Sequence, residues 1–173
     1  MKIDEIEKRY DDVLKSIKVC KDKEFKESVL ILMYSMIDAL SWLNSSEKEI
    51  TNRNVKLDFI NFCEKYIIDE LSQNIMGEEL YNARCAIVHT LSARSKNNKK
   101  NSSRYICYSN NDDAVDEGNG LIEALQEDAV CVNIIELLAV LVKAKTNFFF
   151  DINNDEEKKK IVISKSDEYY SIM

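Results

Sequence analysis

Apolar residues recur at helical spacing through most of this chain, and no proline interrupts them. Breaks fall instead at Asn, Ser and Asp, whose short side chains compete for backbone hydrogen bonds. Ile3, Ile6, Tyr10, Val13, Leu14 and Ile17 predict an amphipathic helix over 2–19 with one buried stripe. After a break near 21–23, a second helix over about 24–44 carries Phe25, Val29, Leu32, Met33, Met36, Leu40 and Leu43 on one face. A third spans about 53–71. The last long helix starts after Asn133, a good N-cap, and runs from Ile134 to about Phe150. That helix is apolar around most of its circumference, so it must be buried centrally or against another subunit.

Between the third and last helices lies Gly77-Glu78-Glu79-Leu80-Tyr81-Asn82-Ala83-Arg84-Cys85-Ala86-Ile87-Val88-His89-Thr90-Leu91, which holds the only histidine. Leu80, Ala83, Ile87 and Leu91 mark a helix, and Glu78 and Glu79 suit its positive N-terminal end. Arg84 and His89, five residues apart, should lie about 140° apart around the axis, on different faces. Small residues flank the histidine (Asn82, Cys85, Ala86, Ala93), so another helix could approach there.

Beyond the histidine the composition changes. From 90 to 111 there are Arg94, Lys96, Lys99, Lys100 and Arg104 and no acid, although the chain as a whole carries a net charge of -7. The segment 92–103 reads as a polar, basic loop. Two short β-favouring stretches, 104–108 and 129–132, are expected to pair as an antiparallel hairpin. Between them, 110–120 reads as an acidic turn region whose residues are out of register for a calcium loop, and 121–126 could be a helical turn or a strand. The tail, 155–173, is left unassigned.

The length suits a single domain with a core over about 20–150 and a basic, partly stranded insertion over 94–132. No run is long and apolar enough to span a bilayer and the start has no signal region, so a cytoplasmic protein with no membrane partner is expected. Five separate cysteines without a Cys-x-x-Cys pair suit reduced thiols packed as small hydrophobes. With one histidine, a zinc site within the chain is disfavoured, and neither a phosphate-binding glycine loop nor a serine-nucleophile motif is present. No cofactor and no metal are expected.

An imidazole can move protons near neutral pH, and a guanidinium can neutralise phosphoryl oxygens through forked contacts. His89 and Arg84, followed by the basic loop, therefore suit metal-free RNA cleavage. Asp38 sits with Tyr34 and Ser41 on the flank of the second helix, and a carboxylate in that apolar run needs a partner. It either hydrogen-bonds a neighbouring helix or solvent, or faces Arg84 or His89 and orients it.

The Arg-x4-His stretch 80–90, the preceding helix 32–43 and the order of helices resemble the HEPN superfamily. The resemblance implies a mainly α fold: an antiparallel bundle of four to five core helices, here with a small β-hairpin insertion before the last long helix. It implies a metal-independent endoribonuclease, often a toxin or phage-defence effector, that leaves a cyclic phosphate and a 5′-hydroxyl. Arg84 and His89 would be catalytic and would meet their copies across a homodimer formed through this helix. Arg94, Lys96, Lys99, Lys100 and Arg104 would bind RNA, and an antitoxin protein is an implied partner. Many active members have a polar residue directly after the arginine; here it is Cys85, a weak hydrogen-bonding group. Asn82, about a turn earlier, is the candidate substitute. The alternative is a catalytically inactive HEPN module for dimerisation, nucleotide or partner-protein binding, and a third reading makes Arg84 and His89 structural residues of an unrelated scaffold.

Overall fold

The computed structural model describes residues 2–46, 52–91 and 103–169. Within them lie α1 (Ile3–Asp22), α2 (Lys26–Asn44), α3 (Val55–Tyr66), a 3-10 turn (Ile68–Glu70), α4 (Gly77–Thr90), β1 (Tyr105–Ser109), α5 (Asp112–Ala124), β2 (Ala129–Asn133), α6 (Ile134–Asn153) and α7 (Glu156–Tyr169). The protein is mainly helical, as the periodicity predicts. None of the described helices is long and apolar enough to cross a membrane.

Helix α2 is the central element. Val29, Leu30, Met33, Tyr34, Met36, Ile37, Leu40, Trp42 and Leu43 are all buried, which leaves it little solvent-facing surface. It packs against α1, α3, α4, α6 and α7. The apolar stripe of α1 closes one side, with Tyr10 tilted on Phe149 at 5.8 Å between ring centroids. Phe62, Tyr66, Phe148 and Phe149 form an aromatic cluster between α3 and α6 with centroid spacings of 5.0–6.0 Å. Edge-to-face geometry of this kind adds about 0.5–1.5 kcal/mol per pair beyond burial.

Caps fix where the helices start. Asn54 Oδ1 accepts from Leu57 N at 3.1 Å before α3, and Asn133 Oδ1 accepts from Ile135 N at 2.8 Å before α6. At α4, Glu79 Oε2 accepts from Met76 N at 2.9 Å. Gly77 sits in a tight place there: its amide donates to Glu64 Oε1 at 2.7 Å, and a Cβ would stand 3.2 Å from the Ile60 carbonyl oxygen. Helix α4 ends at Leu91, whose φ of 50° turns the chain left-handed just after the histidine.

The insertion departs from expectation. β1 and β2 pair in parallel, not as an antiparallel hairpin, with Tyr105 opposite Ala129 and Ser109 opposite Asn133. Parallel neighbours need a crossover, and α5 supplies it. The stretch expected to be an acidic turn is the start of that helix: Asn111 Oδ1 accepts from Ala114 N at 2.7 Å, and Asp112 and Asp113 lie in the first turn, where the helix dipole favours them. Gly118 lets α5 lie close to β2, since a Cβ there would come within 3.1 Å of Cys131 Sγ. Asn119 Oδ1 accepts from Cys131 N at 2.7 Å, so the outer edge of β2 is partly paired by a side chain.

Two further findings concern the C-terminal third. Helix α6 is buried on one face, whereas Ile135, Val142 and Phe150 are exposed. The tail, unassigned from sequence, forms α7, begun by Asp155 Oδ1, which accepts from Lys158 N at 3.0 Å. Lys165 of α7 is buried and donates to Trp42 O and Ser45 O, each at 2.7 Å, at the C-terminal end of α2. A cation there meets the negative end of the helix dipole. Lys145 of α6 is likewise paired with Glu7 and Asp11 of α1, at 2.9 and 2.7 Å. No disulfide joins the described cysteines; Cys63 and Cys131 are buried and the other three are half-buried.

Candidate functional site

The candidate site lies where α2 and α4 face one another. Asp38, held on the central helix, presents its two carboxylate oxygens to two different guanidinium groups. Arg84 Nη2 donates to Asp38 Oδ2 at 2.8 Å, and Arg53 Nη2 donates to Asp38 Oδ1 at 2.9 Å. Asp38 thus hydrogen-bonds a neighbouring helix through Arg84, a geometry common to both alternatives open for it. The other nitrogen of the Arg84 fork, Nη1, stands 3.4 Å from His89 Nε2. A guanidinium has donors only, so in this contact the imidazole nitrogen accepts and its proton sits on Nδ1.

The meeting of Arg84 and His89 corrects the expectation that they would not share a face. Side chains of an α-helix lean back toward its N-terminus. His89 in the last turn therefore reaches toward residues before it, and the long arginine side chain covers the remaining gap. The two groups differ in exposure: Arg84 retains 15% of its side-chain surface, whereas His89 is exposed. Burial works against the charged guanidinium, but the Asp38 carboxylate outweighs it, so Arg84 is held cationic above its ordinary value. The site is thus a fixed cation next to a solvent-accessible imidazole.

Tyr81 and Cys85 line the same side of α4. Burial first, and hydrogen bonding with the Cys85 thiol second, push the Tyr81 phenol up from its ordinary value. The Cys85 thiol is a further influence, after Asp38, that favours the charged form of Arg84. Deeper in, the hydroxyl groups of Tyr34 and Tyr108 hydrogen-bond each other and tie β1 to α2 one turn before Asp38. Burial holds both phenols above their usual range.

Asn82 does not join the arginine. It is fully buried, and its Nδ2 donates to Ser103 Oγ at 3.0 Å, on the side of α4 that faces the start of β1. Ala86 is buried with it and Cys85 is half-buried, while Ala93, also expected on this small-residue face, lies outside the described residues. Arg104, expected to bind phosphate, is committed to a carboxylate: its Nε and Nη2 donate to Glu79 at 2.7 and 3.0 Å, and Nη2 also donates to Asn74 O at 2.6 Å. Arg94, Lys96, Lys99 and Lys100 lie outside the described residues. No group of acidic, histidine and cysteine side chains able to hold a metal ion occurs among the described residues.

Arg53 is the residue that sequence reasoning missed. The sequence places it at the start of the third helix, but it lies just before the Asn54 cap of α3. The available signal was indirect: a carboxylate in the apolar run of α2 calls for cationic partners, and Arg53 is an arginine close to the helix in sequence. No protein-family model matches the chain, and neither a curated protein nor a solved structure matches it.

Proposed function

We propose that the protein is a metal-independent endoribonuclease of the HEPN type that acts as a homodimer, with Arg84 and His89 as its catalytic pair. The observation that carries this reading is the 3.4 Å approach of Arg84 Nη1 to the exposed His89 ring, with the opposite end of the guanidinium fixed by Asp38. A pre-oriented cation beside an accessible imidazole supplies the two elements that 2′-hydroxyl attack on a phosphodiester needs.

In this reading Arg84 and His89 divide the work. As a phosphate arrives, Arg84 Nη1 exchanges the imidazole nitrogen for a non-bridging phosphoryl oxygen, which frees the Nε2 lone pair. His89 takes the proton of the ribose 2′-hydroxyl, the 2′-oxygen bonds to phosphorus, and the bond to the 5′-oxygen breaks. The leaving oxygen is protonated by His89 of a second copy, since one chain has a single histidine. The products are a cyclic phosphate and a 5′-hydroxyl. In such an assembly the cations Arg94, Lys96, Lys99 and Lys100, which follow His89 in sequence, contact the RNA backbone. A role as a toxin or phage-defence effector, in the cytoplasm and with an antitoxin partner, accompanies this reading.

A second reading is favoured by one observation: most of the Arg84 fork is already engaged with Asp38 and His89 in the single chain. In it the protein is a non-catalytic HEPN module that dimerises or binds a nucleotide or protein partner. Incubating the pure protein with RNA in EDTA separates the two. Cleavage by the wild type that disappears in His89→Ala and Arg84→Ala supports the nuclease. Equal cleavage by all three proteins sinks it, and no cleavage by any favours the binding module.

A further inference from the structure

The chain of ion pairs continues past Asp38 to Arg53. That side chain, 9% exposed, lies against the 38–41 turn of α2 and the first turn of α3. Its Nη2 is 2.9 Å from Asp38 Oδ1, 3.0 Å from Asp38 O and 2.8 Å from Ser41 Oγ, and its Nε donates to Asp58 Oδ2 at 3.3 Å. The guanidinium also stands 5.9 Å from the centre of the Trp42 ring. Two carboxylates, two guanidiniums and one imidazole thus alternate in the order Asp58, Arg53, Asp38, Arg84, His89.

A carboxylate facing a guanidinium ordinarily takes two parallel hydrogen bonds from it. Asp38 takes only one from Arg84, at Oδ2, because Oδ1 is held by Arg53. Arg84 Nε, meanwhile, is enclosed and has no acceptor among the described residues. It is the donor that a released Oδ1 would claim. Claiming it would turn the guanidinium side-on to Asp38 and draw Nη1 away from the histidine.

We infer that Arg53 is a positioning residue of this site: by occupying one oxygen of Asp38 it keeps Arg84 singly paired and its Nη1 directed at His89. The inference rests on the nuclease reading for its effect on cleavage, but not for its effect on the imidazole. Lysine cannot replace Arg53 fully, because one ammonium group lacks the fork that reaches Asp38 and Asp58 together.

His89 is the only histidine in the chain, so its ring nitrogens give unambiguous signals in a nitrogen-15 NMR spectrum. In the wild type the Nε2 signal is expected at an acceptor position. Arg53→Met moves it toward that of a free imidazole, in the direction of Arg84→Ala, and Arg53→Lys moves it part of the way. In the RNA assay Arg53→Met lowers kcat on the order of tenfold and changes KM less than about twofold. Circular dichroism confirms that each variant is folded, and should Arg53→Met not fold, Arg53→Lys carries the test. A His89 signal that Arg84→Ala moves and neither Arg53 variant does overturns the inference, as does one that Arg84→Ala leaves in place. Signals that move as expected in a wild type that cleaves no RNA uphold the positioning role while the nuclease reading falls.

Discussion

Helix α4 carries two arginine–carboxylate assemblies that end differently. Glu79 and Arg104 form a closed pair: the arginine gives two nitrogens to one carboxylate, which is 1% exposed, and the rest of the contact goes to a backbone carbonyl. Asp38 and Arg84 form an open one. There the carboxylate is divided between two cations, and the free arm of Arg84 points at an exposed ring. The first assembly anchors the chain that enters β1. The second holds a cation in place and leaves one arm able to change partners. A closed and an open arrangement thus occupy different parts of one helix.

Substitutions should separate the two. Arg104→Ala leaves the buried Glu79 carboxylate with only the Met76 amide, and is expected to cost about 3 kcal/mol in urea unfolding. Cleavage per folded molecule should hardly change. Asp38→Asn removes the charge shared by two guanidiniums and should cost about 2 kcal/mol, but it should reduce cleavage more than Arg104→Ala does. His89→Ala, at an exposed position, should fall within about 0.5 kcal/mol of wild type while abolishing cleavage. If the loss of cleavage across these variants followed the loss of stability, the division between closed and open assemblies would be wrong.

The smallest effect is expected away from α4, where Asp151 accepts from Lys65 Nζ at 2.8 Å and from Tyr66 Oη at 2.7 Å. The hydrogen bond from Lys65 holds the Asp151 carboxyl below its ordinary value of 3.8. A carboxyl depressed by folding stabilises the folded state above its ordinary range, and the contribution is lost as pH falls toward the folded value. Asp151→Asn should therefore cost less than about 1 kcal/mol at neutral pH, because the Lys65–Asp151 ion pair is exposed and the asparagine oxygen can still accept from Tyr66 Oη. Thermal midpoints of wild type and variant should converge as pH falls below 3.8 and through the lower folded value.

Much of this architecture is legible in the sequence. Helices α1, α2, α3, α4 and α6 announce themselves by spacing, whereas α5 and α7 do not, and Asn133 marks the start of α6 directly. The strands are legible too, but not their direction. The acids at 112–113 suit both a turn and a helix start, and only the close approach of Gly118 to Cys131 makes a packed helix, and hence a parallel crossover, the better use of that stretch. At the site, Arg84 and His89 stand out as residue types, and Asp38 stands out because a carboxylate in an apolar run needs a partner. Arg53 does not, since no pattern at the start of a helix reveals which buried charge it will reach. The fate of Arg104 was hidden for a related reason: a basic stretch looks uniform until one member finds a buried carboxylate.

The carboxamide of Asn119 has a consequence for how copies of this chain can meet. By bonding the Cys131 amide, and lying 3.5 Å from its carbonyl oxygen, it behaves as the stub of a third strand laid along β2. A foreign strand seeking to extend the sheet on that side finds the backbone groups of Cys131 already taken, which works against edge-to-edge pairing there.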